Sequence, residues 1–169
     1  MRMAVTLIID LPSLPEEGRA FAGELDGSIF ELPKGDARAV GPLAYDLWAQ
    51  RFESELLLTG SLYAPFEFTC VVTLKPFVKT IHLPQVAVSV ETSGGPGLDV
   101  TEALREEVLI EFPTNPRCDQ ADDPEACEID PRYLAVDKSP KDGVSPPPRD
   151  GGDDRWSALN DLTGLNDHT

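Results

Sequence analysis

The chain has 169 residues, 14 Lys and Arg against 30 Asp and Glu, and a formal net charge of −16. That field opposes bulk nucleic acid and anionic membrane, whose binding depends on Lys and Arg neutralising phosphates, and it favours basic partners. No run reaches the ~18 apolar residues of a membrane span, and the N-terminal MRMAVTLIID is too short for a signal peptide. Three cysteines, Cys70, Cys118 and Cys127, are too sparse for a secreted disulfide framework, so a cytoplasmic location and no membrane partner are expected.

In chain order, residues 4–9 (AVTLII) read as a first strand and 11–19 as a Pro/Glu-rich loop. Residues 28–32 (SIFEL) read as a short strand closed by Pro33-Lys34-Gly35-Asp36. Residues 43–52 fit a strand with Leu43, Tyr45, Leu47 and Ala49 on one face, or a helix grouping Leu43, Leu47 and Trp48; the strand is preferred because its neighbours are strands. Residues 53–58 and 61–74 read as a hairpin turning at Thr59-Gly60-Ser61. Its second arm alternates strictly, with Leu62, Ala64, Phe66, Phe68, Cys70, Val72 and Leu74 on the face to be buried. Residues 77–91 add strand, and the apolar parity switches near Pro84, as at a bulge.

Residues 98–118, LDVTEALREEVLIEFPTNPRC, are the organising stretch. Asp99 stands three residues before Glu102, so it is expected to cap a helix over 100–112. Val100, Ala103, Leu104 and Val108 share one helical face, and Glu102, Arg105, Glu106 and Glu111 fall largely on the other. Pro113 and Pro116 end the helix. The predicted fold is α+β: an antiparallel, barrel- or sandwich-like sheet covered by one main helix, with a disordered acidic C-terminal region.

The composition changes after Cys118. Asp119, Asp122, Asp123, Glu125, Glu128 and Asp130 form an acidic run; it lacks the glycine and spacing of a calcium loop and reads as a solvated charge run. Residues 1–136 are assigned to a single domain and 137–155 to a disordered Pro/Asp-rich linker. Within 156–169, Trp156, Leu159, Leu162 and Leu165 form an apolar stripe at helical spacing, a short docking helix whose partner is either its own sheet or another molecule.

Three phrases, GSLYAPFEFTCVVTLKPF, LDVTEALREEVLIEFPTNPRC and the closing WSALNDL, together resemble the YceD family, the large ribosomal RNA subunit accumulation proteins of bacteria and plastids. The resemblance covers residues 53–162 and carries little of the first 52. It implies a non-catalytic ribosome-biogenesis factor that supports accumulation of large-subunit (23S) ribosomal RNA. The implied partner is a large-subunit precursor RNA, met through cations such as Arg38, Arg51, Lys75 and Lys79, or a basic ribosomal protein or assembly factor met through the acidic surface. A monomer without catalytic residues or small-molecule substrate is expected. The alternative is a zinc-stabilised protein-interaction adaptor.

The cysteines depart from the family pattern. A Cys-x-x-Cys is common there, and here Cys70 is followed by Thr73 at the partner position. A closed zinc site takes four ligands, and three thiols remain, with His82 as a fourth donor that nothing in the sequence places. Residues i and i+3 of a continuous strand point to opposite faces, which also argues against chelation through Cys70. No cofactor is therefore expected; Cys70 reads as a small buried hydrophobe, with zinc through Cys70, Cys118 and Cys127, or a Cys118–Cys127 disulfide, as the alternatives. Gly94-Gly95-Pro96-Gly97 before the helix reads as a loop rather than an anion site, since Asp99 occupies that end.

Overall fold

The structure is a computed structural model that describes residues 4–133. The expected linker over 137–155 and the stripe of Trp156, Leu159, Leu162 and Leu165 lie outside the described residues. The described chain is α+β, as its pattern predicts. Strands β1 (Ile8–Asp10), β2 (Arg19–Leu25), β3 (Arg38–Ala39), β4 (Leu43–Phe52), β5 (Glu55–Thr69), β6 (Pro76–Glu91) and β7 (Gly97–Asp99) precede one α-helix, α1 (Thr101–Ile110). β5 is the spine of an open antiparallel sheet: β4 and then β3 pair along one edge of it, β6 pairs along the other, and β2 extends the sheet beyond β4. β1 and β7 form a separate antiparallel pair.

The even residues of β5 make the core. Leu56, Leu58, Leu62, Ala64, Phe66 and Phe68 are all buried, while their odd neighbours face outward. The same face takes Leu43, Leu47 and Ala49 of β4, which settles residues 43–52 as a strand. Helix α1 lays Leu104 and Val108 onto it. Past the helix, Phe112 packs edge-on to Phe66 and Phe68, at ring centroid distances of 4.7 and 5.2 Å. Such aromatic pairs add about 0.5–1.5 kcal/mol each beyond their buried area.

The parity switch in β6 is a bulge. Gly60 pairs with Val86 and Leu62 with Leu83, so Ser61 alone opposes Pro84 and Gln85. Phe77 and Ile81 face the core before it, and Val86 and Val88 after it.

Four local expectations are corrected. The turn is not at Thr59-Gly60-Ser61: β5 runs straight through, and the hairpin closes at Glu53-Ser54, with Glu53 at φ 47°. Gly60 is needed there because a Cβ would strike the Asp46 carbonyl on β4. Residues 28–32 are not a strand; a 3-10 turn, Gly27–Phe30, starts on the Asp26 carboxylate, which accepts the Ser28 amide. The third is the first strand: β1 runs over Ile8–Asp10 and not over 4–9, and Ala4 makes only an isolated bridge to Leu25 of β2. Finally, α1 begins one residue late. Asp99 does accept the Thr101 amide at 2.9 Å, but Val100 is the capping residue, and Glu102 turns to Arg105 instead of back to the cap. Among the described residues, no helix is long and apolar enough to cross a membrane.

Candidate metal centre

The β5–β6 connection is where sequence and structure differ most. The alternation over 70–74 predicts continuing strand, yet the ladder ends at Thr69–Pro76 and Cys70 opens a tight turn. The Cys70 amide donates to the Lys75 carbonyl and the Leu74 amide to the Cys70 carbonyl, both at 2.9 Å. Leu74 takes a left-handed φ of 57° to close the turn, and its side chain stands 76% exposed, although parity would bury it. The β-branched run Val71-Val72-Thr73 suits a strand, but the register of β6 fixes the fold here.

The turn gathers donors around sulfur. The amides of Val72 and Thr73 both point at Cys70 Sγ, at 3.4 Å each. Cys118 arrives from beyond the helix: Pro113 and Pro116 end α1, the Pro116 carbonyl accepts the Val71 amide, and a 3-10 turn, Cys118–Gln120, buries the second thiol. Cys127 follows after the Glu125 amide has donated back to the Cys118 carbonyl. Cys70 and Cys127 sulfurs stand 3.5 Å apart, and all three sulfurs lie within 4.8 Å of one another. All three are free thiols, so the alternative Cys118–Cys127 disulfide is not formed.

The electrostatics are uneven. Burial pushes the Cys70 thiol up, but hydrogen bonds from the Thr73 hydroxyl and amide and from the Cys118 and Val72 backbone outweigh it, taking it from 9.0 to about 6. Cys118 moves the other way, raised by burial and by its bonds to the other two thiols. Beside them the Arg117 guanidinium, paired to Asp119 at 2.9 Å, is held more firmly in its charged form by Asp119 and, to a lesser degree, by Cys127.

Zinc bound by thiolates at about 2.3 Å in a tetrahedron sets its sulfurs about 3.8 Å apart. The three sulfurs match that spacing to within about an ångström, and the donor set fits three of four positions. Thr73 stands beside the cluster, its Oγ1 3.9 Å from Cys118 Sγ, and offers a neutral hydroxyl where a thiolate would add a fourth ligand. His82 does not supply it: the imidazole sits on the outward face of β6, against Tyr63 at 6.0 Å. Cys70 does not lie in the continuous strand that its alternation predicts, because the chain turns there, and its thiol is free to face the other two.

The remaining candidates are dispersed. Arg38 is paired with Glu67 on the outer face, Lys79 lies at a core-facing parity beside Phe66, and Arg51 is at the far end of the sheet from Lys75, so these four cations form no common patch. The acidic run is not uniformly solvated. Asp122 docks on the β6 edge, its amide to the Val78 carbonyl at 3.0 Å and its carboxylate accepting the Thr80 amide and hydroxyl. Arg105, assigned to the wet face of α1, reaches back to the Phe30 carbonyl at 3.1 and 3.2 Å and ties helix to 3-10 turn.

No family model, no curated protein and no solved structure matches the chain.

Proposed function

We propose that this protein is a non-catalytic, cytoplasmic factor of large-subunit ribosome assembly, supporting accumulation of 23S-type ribosomal RNA. One observation carries the reading. The two longer phrases behind the resemblance to the YceD family, on β5–β6 and on α1, close on one another at the cysteine turn, joined by the Val71 amide and the Pro116 carbonyl at 2.9 Å. Segments far apart in sequence thus form one structural unit. The partner reading follows from charge. With a net charge of −16 and Arg38, Arg51, Lys75 and Lys79 dispersed, a basic ribosomal protein or assembly factor is favoured over direct contact with precursor RNA.

The test is depletion in cells, with sedimentation of the tagged protein before and after nuclease treatment. Loss of 23S-type RNA, and co-migration with large-subunit precursors, are expected. Normal RNA levels and no co-migration would overturn the proposal.

A second reading, the zinc-stabilised adaptor, is favoured by the three sulfurs within 4.8 Å. In it Cys70, Cys118 and Cys127 hold the ion, which ties the segment after α1 to the β5–β6 turn. Elemental analysis of the purified chain separates the two, since the first reading needs no metal.

A further inference from the structure

The outward face of the sheet is unpartnered among the described residues, and its composition is specific. Trp48, Phe52 and Tyr63 stand on it at 46%, 50% and 49% exposure. Between them, the outward positions of β2, β4, β5 and β6 carry Glu24, Asp46, Glu55 and Glu91, none of them in an ion pair among the described residues. Glu55, whose carboxylate accepts the Ser89 hydroxyl at 2.7 Å, and Glu91 are direct cross-strand partners, a like-charge juxtaposition that a bound cation would relieve. Arg38 is the one Lys or Arg at an outward strand position, and Glu67 neutralises it at 3.1 Å.

The bulge gives this face a seat. Asp46, Trp48, Thr59, Ser61 and Pro84 rim a shallow depression of about 390 Å³ at the point where Ser61 opposes two residues of β6. Gly60 adds no side chain to it. The Trp48 indole is laid over Gly18, where a Cβ would come within 2.5 Å of Nε1, so the ring lies along the surface as a platform. An aromatic face beside a carboxylate and two hydroxyl oxygens is the acceptor set for a guanidinium or ammonium group: cation–π attraction from the ring, a charge-assisted hydrogen bond accepted by Asp46, and room for a planar head.

We infer that this face binds a basic polypeptide segment, seating an Arg or Lys head in the Asp46–Trp48 depression and further cations along Glu24, Glu55 and Glu91. The inference rests on the assembly-factor reading above for its biological partner, but not for its chemistry. Aromatic sheet faces also stack single-stranded RNA bases, and such faces carry cations for the phosphates. Here the charges are carboxylates, so the protein ligand is the one the face accepts.

The test uses the full chain, a synthetic peptide of alternating Arg and Gly, and a single-stranded RNA oligomer. Binding is read by fluorescence anisotropy of the labelled probe, and amide shift mapping locates the site. Peptide shifts are expected at β4, β5 and the β6 bulge. Asp46→Asn and Trp48→Ser should each weaken the peptide about tenfold, the scale of one partly desolvated cation contact. Glu106→Gln, the same charge change on α1, should leave it unaltered. Equal weakening by Glu106→Gln would reduce the effect to bulk charge and overturn the inference. RNA binding to the same face with the affinity of the peptide would overturn it also. Sedimentation keeps the two proposals distinguishable. If Asp46→Asn loses the peptide while the wild type never meets ribosomal precursors, the face stands and the assembly role falls. If the variant loses the peptide yet co-sediments as the wild type does, the face is not the assembly contact.

Discussion

Thr73→Cys should turn a three-thiol cluster into a four-thiol zinc site. The backbone is already in place: the Thr73 amide donates to Cys70 Sγ at 3.4 Å, and its Oγ1 stands 3.9 Å from Cys118 Sγ. Cysteine keeps the Cβ and puts sulfur at a γ position the turn already accommodates. Structural zinc sites bind with about 10–16 kcal/mol at neutral pH, so one of four ligands is worth roughly 3 kcal/mol. At about 1.4 kcal/mol per decade, the variant should hold zinc about two orders of magnitude more tightly than the wild type. Titration against a chromophoric chelator measures the difference directly, and thermal melts with and without EDTA measure its link to folding. The wild type should lose its metal to the chelator and carry less than one zinc per chain. Equal affinities would show that the fourth ligand comes from elsewhere. Stoichiometric, chelator-resistant zinc in the wild type would show that the hydroxyl is no handicap, and the reasoning from Thr73 would fail.

Other expectations follow from single contacts. Leu104→Ala should cost roughly 2–5 kcal/mol, because Leu104 is fully buried between α1 and the sheet, whereas Glu106→Ala should be nearly silent in the same denaturant titration. Leu74→Gly should raise stability by roughly 0.5–1 kcal/mol, since the turn needs φ 57° and the side chain is 76% exposed; a lower melting temperature would argue against strain there. Because the folded Cys70 thiol lies at about 6 against an ordinary 9.0, its contribution to stability is full above pH 9 and lost as pH falls towards 6. Thr73→Val removes the hydroxyl behind that shift, so ultraviolet titration of the thiolate should move to higher pH; an unmoved titration would assign the shift to the amides alone.

What could be read in the sequence was what depends on period. The even residues of β5, the parity switch at Pro84 and the apolar face of α1 all follow from side-chain alternation and helical spacing, and each is where it was expected. What failed depended on register and backbone sterics. Gly60 looks like a turn residue, but its role is to let β4 and β5 approach at Leu47, a contact no local rule shows. Val72 and Leu74 keep the strand parity of Phe66 and Phe68, yet β6 pairs back at Thr69 and forces the chain round. The same turn hides the cysteine cluster from the sequence. A chelating pair needs a turn between its members, and once residues 70–75 are read as a turn the three thiols are natural neighbours. β2 shows no alternation, because Ala20 and Ala22 on its outward side are apolar and Gly23 interrupts the inward row of Phe21 and Leu25.

The two candidate sites share one strand, and its period keeps them apart. Even residues of β5 run from Leu56 through Phe68 in the core and end at Cys70, in the turn that collects the thiols. Odd residues from Glu55 through Tyr63 to Glu67 make the middle row of the outer face. A substitution at an even position therefore acts on packing, and through Phe66, Phe68 and Phe112 on the placement of the segment that carries Cys118. One at an odd position alters charge or an aromatic surface with little loss of buried area. Stability and partner binding should accordingly separate by parity along a single strand, except at Gly60, where the close approach of β4 and the depression beside Asp46 meet in one residue. Gly60→Ala should lose both together, because the Cβ it introduces displaces the β4 backbone that carries Asp46 and Trp48.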